Sequence, residues 1–404
     1  MNRFQKWLSL LSIGCEAEVK ASRWTFNECC EHAGWEQPEL SGDSRSVHSR
    51  LPVYRPGPLF SLGTLAEELN LTRLYAKDER SRLGLPAFKV LGSSYAVVHH
   101  LEKELIRLGY PAGEWSNIDE FRRLISPLGN RMLVTATDGN HGRGVARVAR
   151  WLGWEAQVFM PRGTATARVE AIRSEGAEVF LLDVSYDDAV LAAQDSARQH
   201  EALLVQDTSW PGYEEIPRLI VEGYATIMQE IEESLQTEKA GWPDLILVPF
   251  GVGALLGAVV QHLRKPGSPP VKIVTVEPLG AECALESLVT GESVTVPGQA
   301  DTVMVGLNCG TVGLGIVEPL LRGVDAAIAI EDGWAVQALK TIHTQGLEVG
   351  ESGASSPAGL MALMQDRALE PLRKALKIGQ DTRALVFLTE QVTDPETTAR
   401  LLAE

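Results

Sequence analysis

Residues 132–142 read Met-Leu-Val-Thr-Ala-Thr-Asp-Gly-Asn-His-Gly, an apolar run that gives way to polar residues and glycines. We expect a strand at 132–137 and a helix from His141 onward. The free N–H groups of a helix start bind anions, and glycines let a ligand approach closely. Each polar residue also has a structural interpretation, with Asn140 as a helix cap, Asp138 as a turn residue and His141 as a packed histidine.

The same change from strand to helix recurs along most of the chain. Further strands are predicted at 73–77, 156–160, 178–182, 203–206, 245–249, 272–277, 326–330 and 385–389. Helices are predicted at 141–152, 166–175, 187–199, 220–235 and 253–263. Several strands are rich in Val, Ile and Leu without alternation, as in sheets covered on both faces. The fold class is therefore α/β, and so many strands predict two three-layer α/β/α domains with largely parallel sheets and a cleft between them.

The predicted division of the chain places the two sheets in separate domains. Residues 1–50 are less regular and are expected to form an extension that acts as a lid or a dimer contact. Residues 51–96 and 212–404 are assigned to a large domain. Residues 97–211 are assigned to a small domain that carries the polar loop at 137–141.

The length and composition of the chain limit its possible domain number and function. A chain of 404 residues is long enough for two domains. Its net charge of -16 argues against nucleic-acid binding, which depends on Lys and Arg neutralising phosphates. No apolar run approaches the roughly 20 residues that a membrane span needs, so no membrane partner is expected.

The five cysteines predict neither a zinc site nor a disulfide framework. They lie at positions 15, 29, 30, 283 and 309, without a Cys-x-x-Cys pair, so we expect no metal and a reducing, cytoplasmic location. Residues 7–15 follow two basic residues and imitate a short export signal. Serines interrupt that stretch and no Ala-x-Ala site follows, so a packed N-terminal helix is the favoured interpretation.

Residues 87–95, Ala-Phe-Lys-Val-Leu-Gly-Ser-Ser-Tyr, place Lys89 between Phe88 and Val90. We expect these neighbours to desolvate the amine. Desolvation disfavours an ammonium and lowers its pKa, which an amine needs in order to form a Schiff base. The alternative is a lysine whose stem is packed and whose head is in water, and this segment alone favours that alternative.

Residues 250–257, Phe-Gly-Val-Gly-Ala-Leu-Leu-Gly, follow a predicted strand and open an apolar helix. Such a loop can cradle a phosphate. Glu277, at the end of the next predicted strand, imitates the acidic ribose partner of a dinucleotide-binding unit. An NAD-linked oxidoreductase is therefore an open alternative, although a lone glycine motif is weak. A late strand that ends in Thr389-Glu390 completes the candidate segments, and its hydroxyl could face a pyridine nitrogen.

Together and in this order, the four segments resemble the fold-type II pyridoxal-phosphate (PLP) enzymes, the superfamily of the tryptophan synthase β-subunit. A closer resemblance is to the diaminopropionate ammonia-lyase family and covers roughly residues 50–395. Its most specific part is Asp-Gly-Asn-His-Gly-Arg-Gly-Val-Ala at 138–146, where serine and threonine dehydratases usually have Ser in place of Asp138. Further matching stretches lie at 54–59, 87–92, 206–213, 223–226, 251–254, 306–310 and 350–354.

The resemblance implies PLP as the cofactor and a role for each site residue. Lys89 would form the Schiff base, Asn140 would bind the 3′-oxygen and Thr389 would face the ring nitrogen. Thr137, Asp138 and His141 would bind the substrate, with Asp138 also as a catalytic acid or base, and Asp207 would bind a cationic substrate amine. The phosphate would lie on Gly251, Val252, Gly253 and Ala254.

The implied activity is β-elimination of ammonia from 2,3-diaminopropionate, which gives pyruvate and two molecules of ammonia, in a homodimer. A dehydratase-like lyase of a related amino acid stays open, as does a non-catalytic protein of this fold. Three segments depart from the family pattern, at 311–313, 355–359 and 391–394. These departures lie near the presumed cofactor and leave the exact substrate open.

Overall fold

The computed structural model describes residues 22–31, 42–111, 113–296 and 301–403. The stretch at 7–15, with its alternative interpretations as an export signal or a packed helix, lies outside these residues. Within them, no helix is both long enough and apolar enough to cross a lipid bilayer.

The larger sheet has seven strands among the described residues and is mainly parallel. Its strands are β1 (Arg23–Phe26), β2 (Leu59–Ser61), β3 (Arg73–Asp78), β8 (Leu245–Pro249), β9 (Lys272–Pro278), β10 (Ala326–Ile330) and β11 (Arg383–Leu388). Their order is β1-β10-β9-β8-β11-β3-β2, and only the edge strands β1 and β2 run antiparallel to their neighbours. The residues of β8 and β10 are buried throughout, which explains their continuous apolar sequences.

The smaller sheet has four strands within the same described ranges, in the order β6-β5-β4-β7, and all its pairs are parallel. Its strands are β4 (Met132–Ala136), β5 (Glu155–Pro161), β6 (Glu178–Leu182) and β7 (Leu203–Leu204). Parallel neighbours need a crossover connection, and a helix follows each of these strands along the chain.

Helices cover the sheets and connect their strands. They are α1 (Ser44–Ser49), α2 (Gly63–Glu68), α3 (Lys89–Arg107), α4 (Ile118–Leu124), α5 (Asn140–Leu152), α6 (Thr166–Arg173), α7 (Tyr186–Gln199), α8 (Glu215–Thr237), α9 (Ala254–Leu263), α10 (Cys283–Thr290), α11 (Val317–Gly323), α12 (Asp332–Thr344), α13 (Ser355–Gln365), α14 (Glu370–Leu376) and α15 (Pro395–Ala403). In the described ranges, short 3-10 turns lie at Ser126–Leu128, Val305–Leu307, Leu314–Ile316 and Arg367–Leu369.

The predicted α/β class with largely parallel sheets is confirmed, and each predicted strand is present with small shifts at its ends. The two strands that the sequence did not predict are β1 and β2. Both are short antiparallel edge strands, with sequences Arg-Trp-Thr-Phe and Leu-Phe-Ser, and neither contains the Val and Ile run on which the predictions depended.

The strands of the two sheets fall in the ranges that were assigned to the two predicted domains. The division of the chain into these domains stays a prediction. All strands of the small sheet fall within 97–211. Helix α3 runs through the proposed boundary after residue 96. Strand β1, inside the segment predicted as a lid or dimer contact, pairs with β10 and so belongs to the large sheet.

Glycines bring helix α3, which begins at Lys89, close to two neighbouring helices. A Cβ on Gly223 of α8 would lie 2.7 Å from the carbonyl oxygen of Leu91, and one on Gly144 of α5 would lie 3.1 Å from the Cα of Val90. His48 adds a lateral contact, because its ring nitrogens lie 2.8 Å from Thr226 Oγ1 and 2.9 Å from the Leu91 carbonyl. The start of α3 is therefore held by backbone packing from several sides.

A buried ionic cluster lies beside β3, where the chain leads toward Lys89. Glu230 accepts from Lys77 at 2.6 Å and from Arg82 at 2.7 Å, and Glu79 lies within 3.3 Å of both cations. Glu230 also accepts from the Tyr54 hydroxyl at 2.7 Å. The opposite charges balance, which is the condition under which such groups are tolerated in a protein interior.

Candidate active site

A cavity of about 400 Å³ lies at the carboxyl ends of the parallel strands of both sheets. That position is where open α/β sheets bind their ligands. Every site residue predicted from the sequence lines this cavity, although the candidates are spread from Lys89 to Thr389 along the chain. Their individual roles stay predictions.

Lys89 is the first residue of α3, and its Nζ donates a 2.7 Å hydrogen bond to Oδ2 of Asp207. Burial alone would lower the pKa of Lys89, but the carboxylate of Asp207 outweighs burial and raises it. The expectation that the pKa of Lys89 is lowered was therefore wrong in its net direction. The desolvation that the sequence indicated is present, and a partner far along the chain reverses its effect.

Asp207 follows β7 and contacts a second group, His141. Its Oδ2 lies 3.7 Å from His141 Nδ1. Burial opposes the ionisation of Asp207, but the adjacent His141 and Lys89 outweigh it and hold the pKa of Asp207 at about 2. Asp207 is thus an anion at any physiological pH, fixed at one wall of the cavity.

His141 is buried, and one of its two ring nitrogens is used in a hydrogen bond to the backbone. Its Nε2 lies 2.8 Å from the carbonyl oxygen of Val205, which can only accept, so Nε2 carries a proton. Burial lowers the pKa of His141. In the neutral ring Nδ1 is then an acceptor, and no described residue donates to it. The interpretation of His141 as a packed histidine accounts for Nε2 and leaves Nδ1 available to a ligand.

Thr137, rather than Asn140, caps helix α5. The Thr137 hydroxyl accepts from the N–H groups of Gly139 at 3.0 Å and Gly142 at 3.1 Å. Asp138, the next residue, lines the cavity, and burial raises the pKa of its carboxyl group. A raised pKa brings a carboxyl group nearer to the range in which it can exchange a proton with a substrate.

The side chain of Asn140 donates from Nδ2 to Oε2 of Glu390. This bond joins the small-sheet loop to the end of β11 in the large sheet and explains Asn140 without a capping role. An amide carries two N–H donors and an acceptor oxygen, so it can still bind a ligand. Thr389 precedes Glu390, and its hydroxyl lies 3.4 Å from the carbonyl oxygen of Ser352, at the limit of a hydrogen bond.

The glycine loop between β8 and α9 forms another wall of the cavity. Gly253 has φ +96°, which favours glycine, and a Cβ there would lie 2.5 Å from Ile316 Cγ2. A Cβ on Gly251 would lie 3.3 Å from Cys309 Sγ. The first N–H groups of α9 have no acceptor within the helix, which makes this end suited to a phosphate.

Glu277 does not fit the role of a ribose partner. Its two carboxylate oxygens accept from the backbone N–H groups of Ala284 at 2.7 Å and Leu285 at 2.9 Å, at the start of α10. The side chain is fully buried, and each of its two oxygens already accepts a backbone hydrogen bond. The geometry therefore removes the residue on which the NAD alternative depended.

Sequence reasoning missed several residues of the cavity wall. Glu390 directly follows Thr389, but the sequence assigns it no role. Its buried Oε1 has no hydrogen-bond partner among the described residues. Arg168 and Tyr186 also line the cavity. They were missed because Arg168 lies in a predicted helix and Tyr186 directly precedes one, and neither position gave a sign of facing a ligand. Only the adjacency of Glu390 to Thr389 offered a signal.

These residues fit PLP on the chemistry of their side chains. The site offers one amine at Lys89, a helix start with a glycine cradle, an amide at Asn140 and a hydroxyl at Thr389. The volume is in the range of cavities that bind small ligands. The fold and the site define a PLP-dependent enzyme of fold type II.

Comparison with known proteins agrees with this class. The family model described as "Pyridoxal-phosphate dependent enzyme" matches residues 51–381, and the chain belongs to that family. PLP is accordingly the cofactor, as the sequence predicted.

Within the family, the chain is similar to the diaminopropionate ammonia-lyases. It is 36% identical over 364 residues to the enzyme of Escherichia coli K12, which covers 87% of this chain and 88% of the relative. The relative from Salmonella typhimurium is 36% identical over 365 residues, with 87% and 89% covered. A solved structure of the Escherichia coli lyase with an aminoacrylate-PLP azomethine reaction intermediate gives a TM-score of 0.83 at 32% identity and covers 94% of this chain and 96% of that one.

Proposed function

We propose that the protein is a PLP-dependent ammonia-lyase that eliminates ammonia from 2,3-diaminopropionate and yields pyruvate and two molecules of ammonia. The observation that carries the proposal is the cavity that combines Lys89, Asp138 and Asp207 with the glycine cradle. The similarity to diaminopropionate ammonia-lyases along nearly the whole length of both chains supports the same activity.

Different residues would hold different parts of the cofactor. Lys89 would hold PLP covalently through Nζ, Gly251–Ala254 would hold its phosphate, Asn140 its 3′-oxygen and Thr389 its ring nitrogen. When bound, PLP supplies an electron sink that makes the Cα proton of an amino acid removable.

Two groups on the cavity wall are suited to move that proton. The amine of Lys89, once released, can take a proton from one face of Cα. Asp138, whose pKa is raised by burial, can take the proton presented to the loop side or give one to the leaving β-amine. General acid–base help of this kind contributes about 10²–10⁴-fold. A pair of such groups offers a route to both enantiomers.

Asp207 supports a cationic substrate. Its pKa of about 2 keeps it ionised, and it already receives a hydrogen bond from one ammonium group, that of Lys89. The β-ammonium of diaminopropionate has the same charge and donor chemistry. The hydroxyl of serine or threonine gains less from an anionic partner than an ammonium does.

The second candidate is a dehydratase-like lyase that acts on a hydroxyamino acid. It stays open because the departures at 311–313, 355–359 and 391–394 leave the exact substrate undetermined. One of them lies against the glycine loop, where the Gly313 N–H donates to the carbonyl oxygen of Val252 at 3.0 Å. Serine dehydratase-like protein of Homo sapiens is also similar, with 30% identity over 57% of this chain. This partial match supports the family more than the substrate.

Substrate profiling of the PLP-loaded protein separates the two. Pyruvate and ammonia are measured with D- and L-2,3-diaminopropionate, serine and threonine under the same conditions. We expect the highest kcat/KM with a diaminopropionate enantiomer. No turnover of either enantiomer, with turnover of serine or threonine, would favour the dehydratase instead.

The Lys89→Ala variant tests the attachment of the cofactor. Borohydride reduction of the wild type should fix PLP covalently on the peptide that contains Lys89, as mass spectrometry detects, and the variant should lack this label. Covalent labelling at full strength in the variant would overturn the role of Lys89. The expected homodimer and cytoplasmic location stay predictions, based on the family resemblance and on the cysteine usage.

A further inference from the structure

Arg168 lies in helix α6 and lines the same cavity from the small-sheet side. Only 9% of its surface is exposed. Its aliphatic stem packs on the polar loop, because a Cβ on Gly139 would lie 3.3 Å from Arg168 Cδ. The position of this side chain is thus tied to the loop that carries Asp138 and Asn140.

Among the described residues, Arg168 lacks the partner that a buried arginine requires. Its Nε is buried with no hydrogen-bond acceptor there, and no ion pair between described residues includes it. Arg82 pairs with Glu79 and Glu230, and Arg264 pairs with Asp325 at 2.9 Å. An unpaired buried charge is strongly unfavourable, so an anion from outside the chain is the expected partner.

Two acids stand near Arg168 without contacting it. The charge of Arg168 opposes the burial that raises the pKa of Asp138 and Glu390, so the guanidinium lies within electrostatic range of both. Neither carboxyl group forms a hydrogen bond or an ion pair with it among the described residues. Because Arg168 lines the cavity and no described residue accepts a hydrogen bond from it, its guanidinium has donors left for a ligand.

The loop itself offers fewer anion donors than its sequence suggests. Thr137 already accepts from the N–H groups of Gly139 and Gly142. A carboxylate at the start of α5 is left with the N–H groups of Asn140 and His141, which have no acceptor within the helix. The planar fork of a guanidinium matches a carboxylate and would supply the missing donors.

We propose that Arg168 binds the α-carboxylate of the amino-acid substrate, together with the free N–H groups at the start of α5. The inference rests on the proposed function only in that the ligand is an α-amino acid. Arg168 would be a specificity residue, since it selects amino acids with a free carboxylate over amides and amines. The phosphate of the cofactor is the other anion of the site, but its cradle belongs to the large-sheet element β8–α9.

The test compares the binding of alanine and alaninamide to the PLP-loaded protein, with D- and L-forms of each. Neither compound has a leaving group at Cβ, so binding is read from the change in cofactor absorbance without elimination. The wild type should bind one alanine enantiomer more tightly than the matching amide. Arg168→Gln should weaken alanine about 10- to 100-fold, as expected for a lost hydrogen bond to a charged group, and leave alaninamide nearly unchanged.

Two further variants serve as a conservative replacement and as a matched control. Arg168→Lys should retain part of the preference for alanine, because it restores the charge without the fork. Arg173→Gln is the matched control, since Arg173 lies in the same helix, is exposed and pairs with Glu170 at the surface. It should behave like the wild type.

Two outcomes would overturn the inference. An equal loss of alanine and alaninamide in Arg168→Gln would assign Arg168 a structural role. A loss of PLP affinity with the preference for alanine intact would assign it to the phosphate. If the wild type does not turn over diaminopropionate, the proposed substrate is wrong. If Arg168→Gln nevertheless removes the preference for alanine over alaninamide, the role of Arg168 is still supported.

Discussion

The amine of Lys89 and the carboxylate of Asp207 form a 2.7 Å hydrogen bond across the cavity, between residues that are 118 positions apart in the chain. The sequence assigned Asp207 to the amine of the substrate. The structure gives it the amine of the protein, which has the same charge. A single carboxylate can therefore serve two ammonium groups, that of Lys89 and that of an incoming diamine, without any change in its own ionisation.

Removing the charge of Asp207 should make the Lys89 amine more reactive at neutral pH. In Asp207→Asn, burial still lowers the pKa of Lys89, but the opposing carboxylate is gone. The reactive, unprotonated fraction should grow about tenfold for each unit by which the pKa falls. Acylation of Lys89 in PLP-free protein, followed by mass spectrometry across pH, measures this shift. Asp183→Asn, at an exposed carboxyl group, should leave the profile unchanged, and an unshifted Asp207→Asn profile would contradict the assignment.

Asp138 should control the turnover of one enantiomer of 2,3-diaminopropionate. In Asp138→Asn we expect a loss of about 10²–10⁴-fold in kcat for the enantiomer whose proton faces the loop, and a smaller loss for the other. PLP absorbance should remain, since Lys89 is intact. Stopped assays of ammonia with each pure enantiomer measure the split, and equal losses on both enantiomers would assign Asp138 to the leaving amine alone.

The dependence of wild-type kcat on pH tests, without any substitution, whether Asp138 acts as a base. Burial raises its pKa, and a base is active when deprotonated, so activity that depends on it should fall on the acid side at a higher pH than an ordinary carboxyl group would give. This acid limb should appear in kcat for the enantiomer served by Asp138 and be absent for the other.

The sequence predicted more of the fold than of the contacts within the site, and the difference has a physical cause. Strands such as β8 and β10 are buried on both faces, and their apolar runs show this without any knowledge of the partners. Lys89, by contrast, showed its desolvation through Phe88 and Val90 but not the distant Asp207, so the direction of its pKa shift was predicted incorrectly. The stem of Arg168 packs against the loop at Gly139, which is distant in the sequence. Local sequence carries no trace of that contact.

His48 should make the protein less stable on acidification. Burial lowers the pKa of His48 to about 4 in the folded chain, whereas the unfolded chain has a value near the ordinary 6.5. The unfolded state therefore binds more protons between these values, and the stabilisation present above pH 6.5 is lost as the pH falls toward 4. We expect His48 to account for a decrease of about 2 kcal/mol in the free energy of unfolding between pH 7 and pH 5.

Denaturant unfolding of the wild type and of His48→Gln at both pH values measures this contribution as a difference of differences. The variant should be less stable at pH 7, because the bonds to Thr226 and Leu91 are disturbed, but should lose less stability on acidification. Parallel losses in the two proteins would show that His48 is not the titrating group.

Gly144→Ala should impair catalysis through the distance between two helix starts. The added Cβ would lie 3.1 Å from Val90 Cα and 3.2 Å from Val90 N, backbone atoms that cannot rotate away. Helix α5 begins with the polar loop and α3 begins with Lys89, so separating them moves the two halves of the site apart. A displacement of about 1 Å can cost on the order of 10²-fold in rate, and overpacking about 1–3 kcal/mol in stability.

Gly333→Ala is the matched control for this effect. Gly333 lies in the first turn of α12, and its φ is not in the left-handed region. Apart from its chain neighbours and the backbone of its own helix, no described atom lies within 4 Å of the position of its Cβ. Alanine there should stabilise the chain by about 0.4–1 kcal/mol and leave kcat unchanged. If Gly144→Ala matched Gly333→Ala in both unfolding and kcat, the contact between α3 and α5 would not be what sets the distance between Lys89 and the polar loop.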